Sequence, residues 1–214
     1  MKFGKIMHNY LKTTLSLSPV MPVLTINTLD KIEYLFDALI EGNIKVVEIT
    51  LRTKNALRAI EIVSKKFASL KIGAGTVLNG QDLQSVKEAG ATFAVSPGYT
   101  EKLASKALEI KFPFLPGVSN SSEIMNLLDY GFKFFKFFPA QSAGGIEYIK
   151  SLKGPFPDVM FCPTGGINQN NASEWLSQKN VICVGGSWIV PNVINDFNEI
   201  KKNALIASSL SNKL

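Results

Sequence analysis

The sequence predicts an α/β fold in which eight parallel strands alternate with helices and close into a (β/α)8 barrel. Three observations predict it. Short β-rich apolar runs recur at a nearly fixed spacing from residue 20 onward, amphipathic stretches fill the intervals, and the connections are short. Eight such units fit a closed TIM-type barrel better than an open doubly wound sheet, although 214 residues is near the small end for that fold. A chain of this length buries one substantial core, so a single domain over 1–214 is expected.

In order along the chain, residues 1–18 form an extra amphipathic N-terminal helix outside the repeat. The strand candidates then follow at 20–25, 45–51, 71–75, 92–95, 113–115, 132–138, 159–163 and 181–184. The helical intervals carry one apolar side, as in the stretch from Leu29 to Ile40, where Leu29, Ile32, Leu35, Phe36, Leu39 and Ile40 share a face. Helices end where Gly or Asn permits a left-handed cap: Glu41-Gly42-Asn43, Glu88-Ala89-Gly90 and Asp129-Tyr130-Gly131 each precede the next strand.

Composition narrows the function. A hydrophobic fraction of 46% with 19% charged residues is that of a compact globular protein. The net charge of +6 comes from lysines scattered along the chain, with Arg52 and Arg58 the only arginines, so no basic stripe awaits a nucleic acid. A mild positive field suits a small anionic substrate. No apolar stretch approaches the roughly 18 to 20 uncharged residues that span a bilayer. The first twenty residues lack the apolar core of a signal peptide, and a cytoplasmic location without membrane partners is expected. Cys162 and Cys183 end apolar runs and read as small buried residues. The single histidine, His8, precedes the repeat, which removes most of the ground for a histidine base or a histidine-bound metal.

Barrel enzymes place reactive groups at the carboxyl ends of strands. The polar and turn residues there are Glu48, Thr50 and Arg52, then Thr76, Ser96, Pro116 with Gly117, Lys136, Thr164 with Gly165 and Gly166, and Gly185 with Gly186 and Ser187. Lys136 lies in Phe132-Lys133-Phe134-Phe135-Lys136-Phe137-Phe138, where alternation puts Phe132, Phe134, Lys136 and Phe138 on one face. A strand covered on both sides desolvates that lysine, which favours the neutral, nucleophilic amine needed for an imine. A lysine snorkelling out of the strand end is the alternative. Lys133, on the other face, points toward the helices and solvent.

Glu48 falls with Thr50 and Arg52 on one face of Val46-Val47-Glu48-Ile49-Thr50-Leu51-Arg52. A carboxylate in mid-strand needs a cationic partner or a task, and Lys136 and Arg52 are the candidates for partner. A buried ion pair with no catalytic role is the alternative. Pro163-Thr164-Gly165-Gly166 and Val184-Gly185-Gly186-Ser187 follow the last two strands, where glycines free backbone N–H groups for an anion at a helix start, although tight turns use such pairs too.

These residues fall into motifs with a known likeness. Val47-Glu48-Ile49-Thr50-Leu51-Arg52-Thr53, Gly73-Ala74-Gly75-Thr76-Val77-Leu78, Val95-Ser96-Pro97-Gly98 and Pro116-Gly117-Val118-Ser119 come first. Lys136-Phe137-Phe138-Pro139-Ala140, Phe161-Cys162-Pro163-Thr164-Gly165-Gly166-Ile167 and Gly185-Gly186-Ser187-Trp188 follow. In this order, from about residue 19 onward, the chain closely resembles the bacterial 2-keto-3-deoxy-6-phosphogluconate (KDPG) aldolase / 4-hydroxy-2-oxoglutarate aldolase family.

The resemblance implies a homotrimeric class I aldolase acting on a 2-oxo acid without metal or organic cofactor. Lys136 would be the Schiff-base lysine and Glu48 the general acid and base. Arg52, Thr76 and Thr164 would hold the carboxylate and hydroxyls, Phe138 and Pro116 would wall the site, and Gly165, Gly166, Gly185, Gly186 and Ser187 would take a phosphate. Two positions depart from relatives: Thr25 stands where some have arginine, and Asn120 follows Ser119 where threonine is common. Both bear on aldehyde preference and phosphate affinity and leave the catalytic pair untouched. A phosphate-binding epimerase or isomerase would need a second carboxylate or a histidine at a strand end. A silent binding protein would hold such acids and release no pyruvate.

Overall fold

The computed structural model describes residues 4–191 and 196–210. The architecture is α/β, with parallel strands in curled sheets alternating with helices. In chain order the elements are α1 (Lys5–Leu15), β1 (Val20–Leu24), α2 (Ile32–Glu41), β2 (Val46–Thr50), α3 (Ala56–Lys66), β3 (Lys71–Gly75), α4 (Gly80–Glu88), β4 (Phe93–Val95) and α5 (Glu101–Glu109). The second half runs β5 (Phe114–Leu115), β6 (Gly117–Val118), α6 (Ser121–Asp129), β7 (Phe134–Phe137), α7 (Gly145–Leu152), β8 (Met160–Pro163), α8 (Ala172–Leu176), β9 (Val184–Gly186) and α9 (Phe197–Ser209).

A six-stranded sheet has the order β5-β4-β3-β2-β1-β9 and a three-stranded sheet the order β6-β7-β8. The breaks between them are small. Pro116 has no N–H to give to a ladder and divides β5 from β6, while its carbonyl still accepts from Lys136 N at 2.9 Å. At the other junction, single bridges Phe161↔Val181 and Thr164↔Gly185 connect β8 to the β9 segment. The strand expected at 181–184 begins only at Val184, and ahead of it Val181 and Ile182 meet β8 at Phe161 through a single bridge.

Residues of β2 are buried on both faces, as parallel strands under helices must be. Helix starts are fixed by side chains that accept from the first free N–H groups: Asn79 from Asp82 N, Thr100 from Leu103 N and Asn120 from Glu123 N. Each such cap stabilises its helix by about 1 kcal/mol. Helix ends use the expected left-handed positions, with φ +65° at Asn43, +96° at Gly90 and +86° at Gly131. Helix α2 begins three residues later than the apolar pattern suggests, because Lys31 adopts φ +57° and interrupts the first turn. Gly42 is set by packing, since a Cβ there would lie 2.2 Å from Ala204 Cβ on α9.

The expected N-terminal helix is found as α1; residues 1–3 lie outside the described residues. It buries Leu11, Thr14 and Leu15, and its His8 ring meets Phe134 at 4.9 Å between centroids. Phe134 shares its face of β7 with Lys136, so α1 covers the amino-terminal end of that face. Among the described residues no helix is long and apolar enough to cross a membrane.

Candidate active site

The six-stranded sheet contributes Glu48 and the three-stranded sheet contributes Lys136. Their side chains meet at 3.0 Å from Nζ to Oε1 and 3.3 Å to Oε2. The two sheets therefore bring these side chains into one shared interior. The pair is sealed: Lys136 is 4% exposed and Glu48 0%. Phe138 closes it from beyond the strand, with the ammonium 5.3 Å from its ring centroid.

Alternation along β7 explains the selection of this lysine. Phe135 and Phe137 turn outward and pack on Phe161, with Phe137 also stacked on Tyr148 of α7, while Lys136 turns in. Lys133 points outward and meets Asp158 across 3.4 Å on the surface. Glu48 has Lys136 as its partner and not Arg52. Arg52 lies two residues past the end of β2, exposed, and pairs with no carboxylate among the described residues. Thr50 stays inside and donates to Leu24 O at 2.9 Å, while Thr25 stands 3.3 Å from its hydroxyl at the end of β1.

The other expected residues gather at the same carboxyl edge. Thr76 follows β3 directly and holds φ +58°, a left-handed conformation that costs a β-branched residue about 1–3 kcal/mol. Its neighbours keep it there: Gly75 O accepts from Leu51 N at 2.8 Å and Val77 N donates to Val95 O at 3.1 Å. Thr164 follows β8 directly, 7% exposed. Pro116 is buried between β5 and β6, in the strand beside Lys136.

Gly165 and Gly166 have φ +102° and +78°, a turn that side chains resist, and Gly166 is exposed. The helix beyond them, α8, starts only at Ala172, so this corner presents a loop and not a helix start. After β9 the chain likewise passes through a turn at Trp188 and Ile189. Gly186 and Gly185 are buried within β9, and a Cβ on Gly185 would sit 2.3 Å from Thr164 Oγ1. Packing therefore accounts for glycine at 185, whereas Ser187 is exposed.

Residues 11–203 match the aldolase family described as KDPG and KHG aldolase. The chain belongs to this family. A KHG/KDPG aldolase of Escherichia coli (strain K12) is 47% identical over 180 residues, 84% of each chain. The 2-keto-3-deoxy-6-phosphogluconate aldolase of Zymomonas mobilis ZM4, crystallised with 3-phosphoglycerate, is 42% identical. Its TM-score is 0.93, over 96% of this chain and 98% of that one. KDPG aldolase from Legionella pneumophila is 44% identical with a TM-score of 0.90, over 92% of this chain and 98% of that one. Its structure has pyruvate captured at low pH as a covalent carbinolamine intermediate.

In this KDPG and KHG aldolase family member, three features of the site escape sequence reasoning. Cys162 stands opposite Lys136 in the β7–β8 register. Cys183 is beside it, and a hydrogen bond with Cys162, then burial, pushes the Cys183 thiol well above its ordinary value, so it stays protonated and inert. A cavity of about 590 Å³ opens between β1, α2 and the turn after β9, lined in part by Thr25, Asn27, Lys31, Ser187 and Trp188. Of the expected residues only Ser187 reaches it, and the Lys136–Glu48 pair is not on its wall. The third feature is Gly75 at the end of β3, which faces the Glu48 side chain.

Proposed function

We propose that the chain is a class I aldolase that cleaves 2-dehydro-3-deoxy-6-phosphogluconate to pyruvate and glyceraldehyde 3-phosphate. It also cleaves 4-hydroxy-2-oxoglutarate to pyruvate and glyoxylate. The observation that carries this reading is the sealed contact of Lys136 Nζ with Glu48 Oε1 at 3.0 Å. An amine attacks a keto carbon only when neutral, and a carboxylate in hydrogen-bond contact is the group that can take its proton.

In the first step Lys136 gives a proton to Glu48 and its lone pair bonds C2 of the 2-oxo acid. Glu48 returns the proton to the former carbonyl oxygen, giving a carbinolamine, and loss of water leaves the iminium. Glu48, again a carboxylate, accepts the proton of the C4 hydroxyl, directly or through water. The C3–C4 bond breaks, its electrons enter the iminium, and the aldehyde departs from an enamine. Protonation at C3 and hydrolysis release pyruvate and free Lys136. The iminium is the electron sink, so the sequence of steps calls on no metal or organic cofactor.

Arg52, with no carboxylate partner among the described residues, holds the substrate carboxylate together with Thr76 and Thr164. Phe138 and Pro116 wall the site. The phosphate lies at Gly165, Gly166, Gly186 and Ser187, with Gly185 acting through Thr164 behind them. The proposal includes the architecture: one domain over 1–214 in which both sheets form a single closed (β/α)8 barrel. The narrow breaks at Pro116 and between β8 and β9 support this. Two further parts are a cytoplasmic location, read from the sequence, and a homotrimer, carried by resemblance to the family alone. Pyruvate release coupled to lactate dehydrogenase tests the activity. Turnover of both acids is expected, and tight binding of either without pyruvate would overturn it.

A further inference from the structure

We propose that Gly75 is a positioning residue whose missing side chain is the seat of the Glu48 carboxylate. A Cβ built on Gly75 would lie 2.1 Å from Glu48 Oε1 and 2.7 Å from both Cδ and Cγ. Oε1 is the same oxygen that accepts from Lys136 Nζ at 3.0 Å. Glycine inside a strand is unfavourable, by about 0.5–1 kcal/mol against alanine, and needs a reason. Backbone conformation is not the reason, because Gly75 is absent from the positive-φ glycines and sits in regular register with Thr50.

Its companions on inner positions answer to other neighbours. A Cβ on Gly73 would meet the Phe93 ring, on Gly117 the backbone of Pro97 and Gly98, and on Gly185 the Thr164 hydroxyl. Of these four, Gly75 is the one that faces a carboxylate. Glu48 is bounded by Lys136 on one side and by β3 on the other and is 0% exposed, so a group added on β3 pushes the carboxylate from its place against the amine. The atoms a methyl group at 75 would meet are Cγ, Cδ and Oε1 of one flexible side chain and not backbone. The sheet survives and the carboxylate leaves the amine.

This inference rests on Lys136 and Glu48 being the catalytic pair. The experiment is a cycle of wild type, Gly75→Ala, Glu48→Asp and the double variant, with kcat and KM measured for pyruvate release. Gly75→Ala is expected to lower kcat about 100-fold with KM changed less than about threefold, as for a misplaced proton-transfer group. In the Glu48→Asp background, where the shorter chain leaves room, the same substitution is expected to cost less than about threefold. A wild-type kcat in Gly75→Ala, or an equal loss in both backgrounds, would overturn the proposal.

Should Gly75→Ala not fold, thermal melting of Glu48→Ala/Gly75→Ala decides. A melting point within about 2 °C of Glu48→Ala supports the seat, and a double variant that still fails to fold defeats it. Borohydride trapping of pyruvate on wild type separates the two layers. Trapping at Lys136 with an unaffected Gly75→Ala sinks the seat alone, whereas no trapping at Lys136 sinks the reading beneath it.

Discussion

Lys133 and Lys136 stand three residues apart within one aromatic run and live in different worlds. Lys133 is on the outer face, its side chain 45% exposed and loosely paired with Asp158 across 3.4 Å. Lys136 is on the inner face, 4% exposed, with Glu48 at 3.0 Å and the Phe138 ring above it. An exposed pair of the first kind is worth about 0–1 kcal/mol. Losing one partner of the second kind costs about 3–5 kcal/mol, because a charge is left without compensation inside the protein. The lysine side chain is the same in both, and strand parity alone decides which one can do chemistry.

The widest separation is expected from methionine at each position. Lys136→Met should lower kcat for pyruvate release about 10⁴-fold or more, since no other group supplies the imine nitrogen. Lys133→Met should stay within about twofold of wild type. Glu48→Gln keeps the shape and removes the base, with an expected loss of about 10² to 10⁴-fold in kcat. Activity retained in that variant would leave the carboxylate a merely structural partner.

Thr76 sharpens the contrast between an edge built for function and strands built for stability. Thr76→Gly relieves left-handed strain of about 1–3 kcal/mol against a glycine entropy cost of about 0.4–1 kcal/mol. Melting should therefore rise by about 2–4 °C while kcat/KM falls about tenfold. A fall in both would mean that the conformation is not strained.

The smallest effect concerns the amino-terminal end. Burial, then the charges of Lys133 and Lys12, hold the His8 pKa below 6.5. The unfolded chain therefore binds the proton more readily than the folded one. Stability from this group is complete above pH 6.5 and declines as the pH falls through 6.5 toward the folded value. His8→Asn should flatten that slope in melting temperature between about pH 7.5 and 5.5, and Lys133→Met should shallow it by removing one of the repelling charges. A slope that is unchanged in His8→Asn would assign the effect elsewhere.

Sequence periodicity carried much of this, because strand parity is local. The inward turn of Lys136 and Glu48 follows from alternation over a few residues, and the left-handed caps at Asn43, Gly90 and Gly131 follow from residue type. What parity does not contain is distance. Arg52 shares its parity with Glu48 yet lies beyond the strand, and Lys136, eighty-eight positions away, takes the carboxylate instead. Pro116 was legible as a strand-end residue, but not that it divides two strands while its carbonyl still pairs with Lys136. Gly75 was read as part of a motif, and only the position of a side chain from the next strand gives its absence of Cβ a meaning. Of the two glycine pairs near the end, Gly165-Gly166 forms a turn and Gly185-Gly186 lies within β9, and the helix expected behind the first pair starts six residues late, at Ala172.

The central claim is that one sealed amine bonds a keto carbon. Borohydride reduction in the presence of pyruvate, followed by peptide mapping, tests it directly. A single adduct on the peptide bearing Lys136, absent in Lys136→Met and retained in Lys133→Met, is the predicted result. An adduct on any other lysine, or full aldol cleavage with no adduct formed, would contradict it.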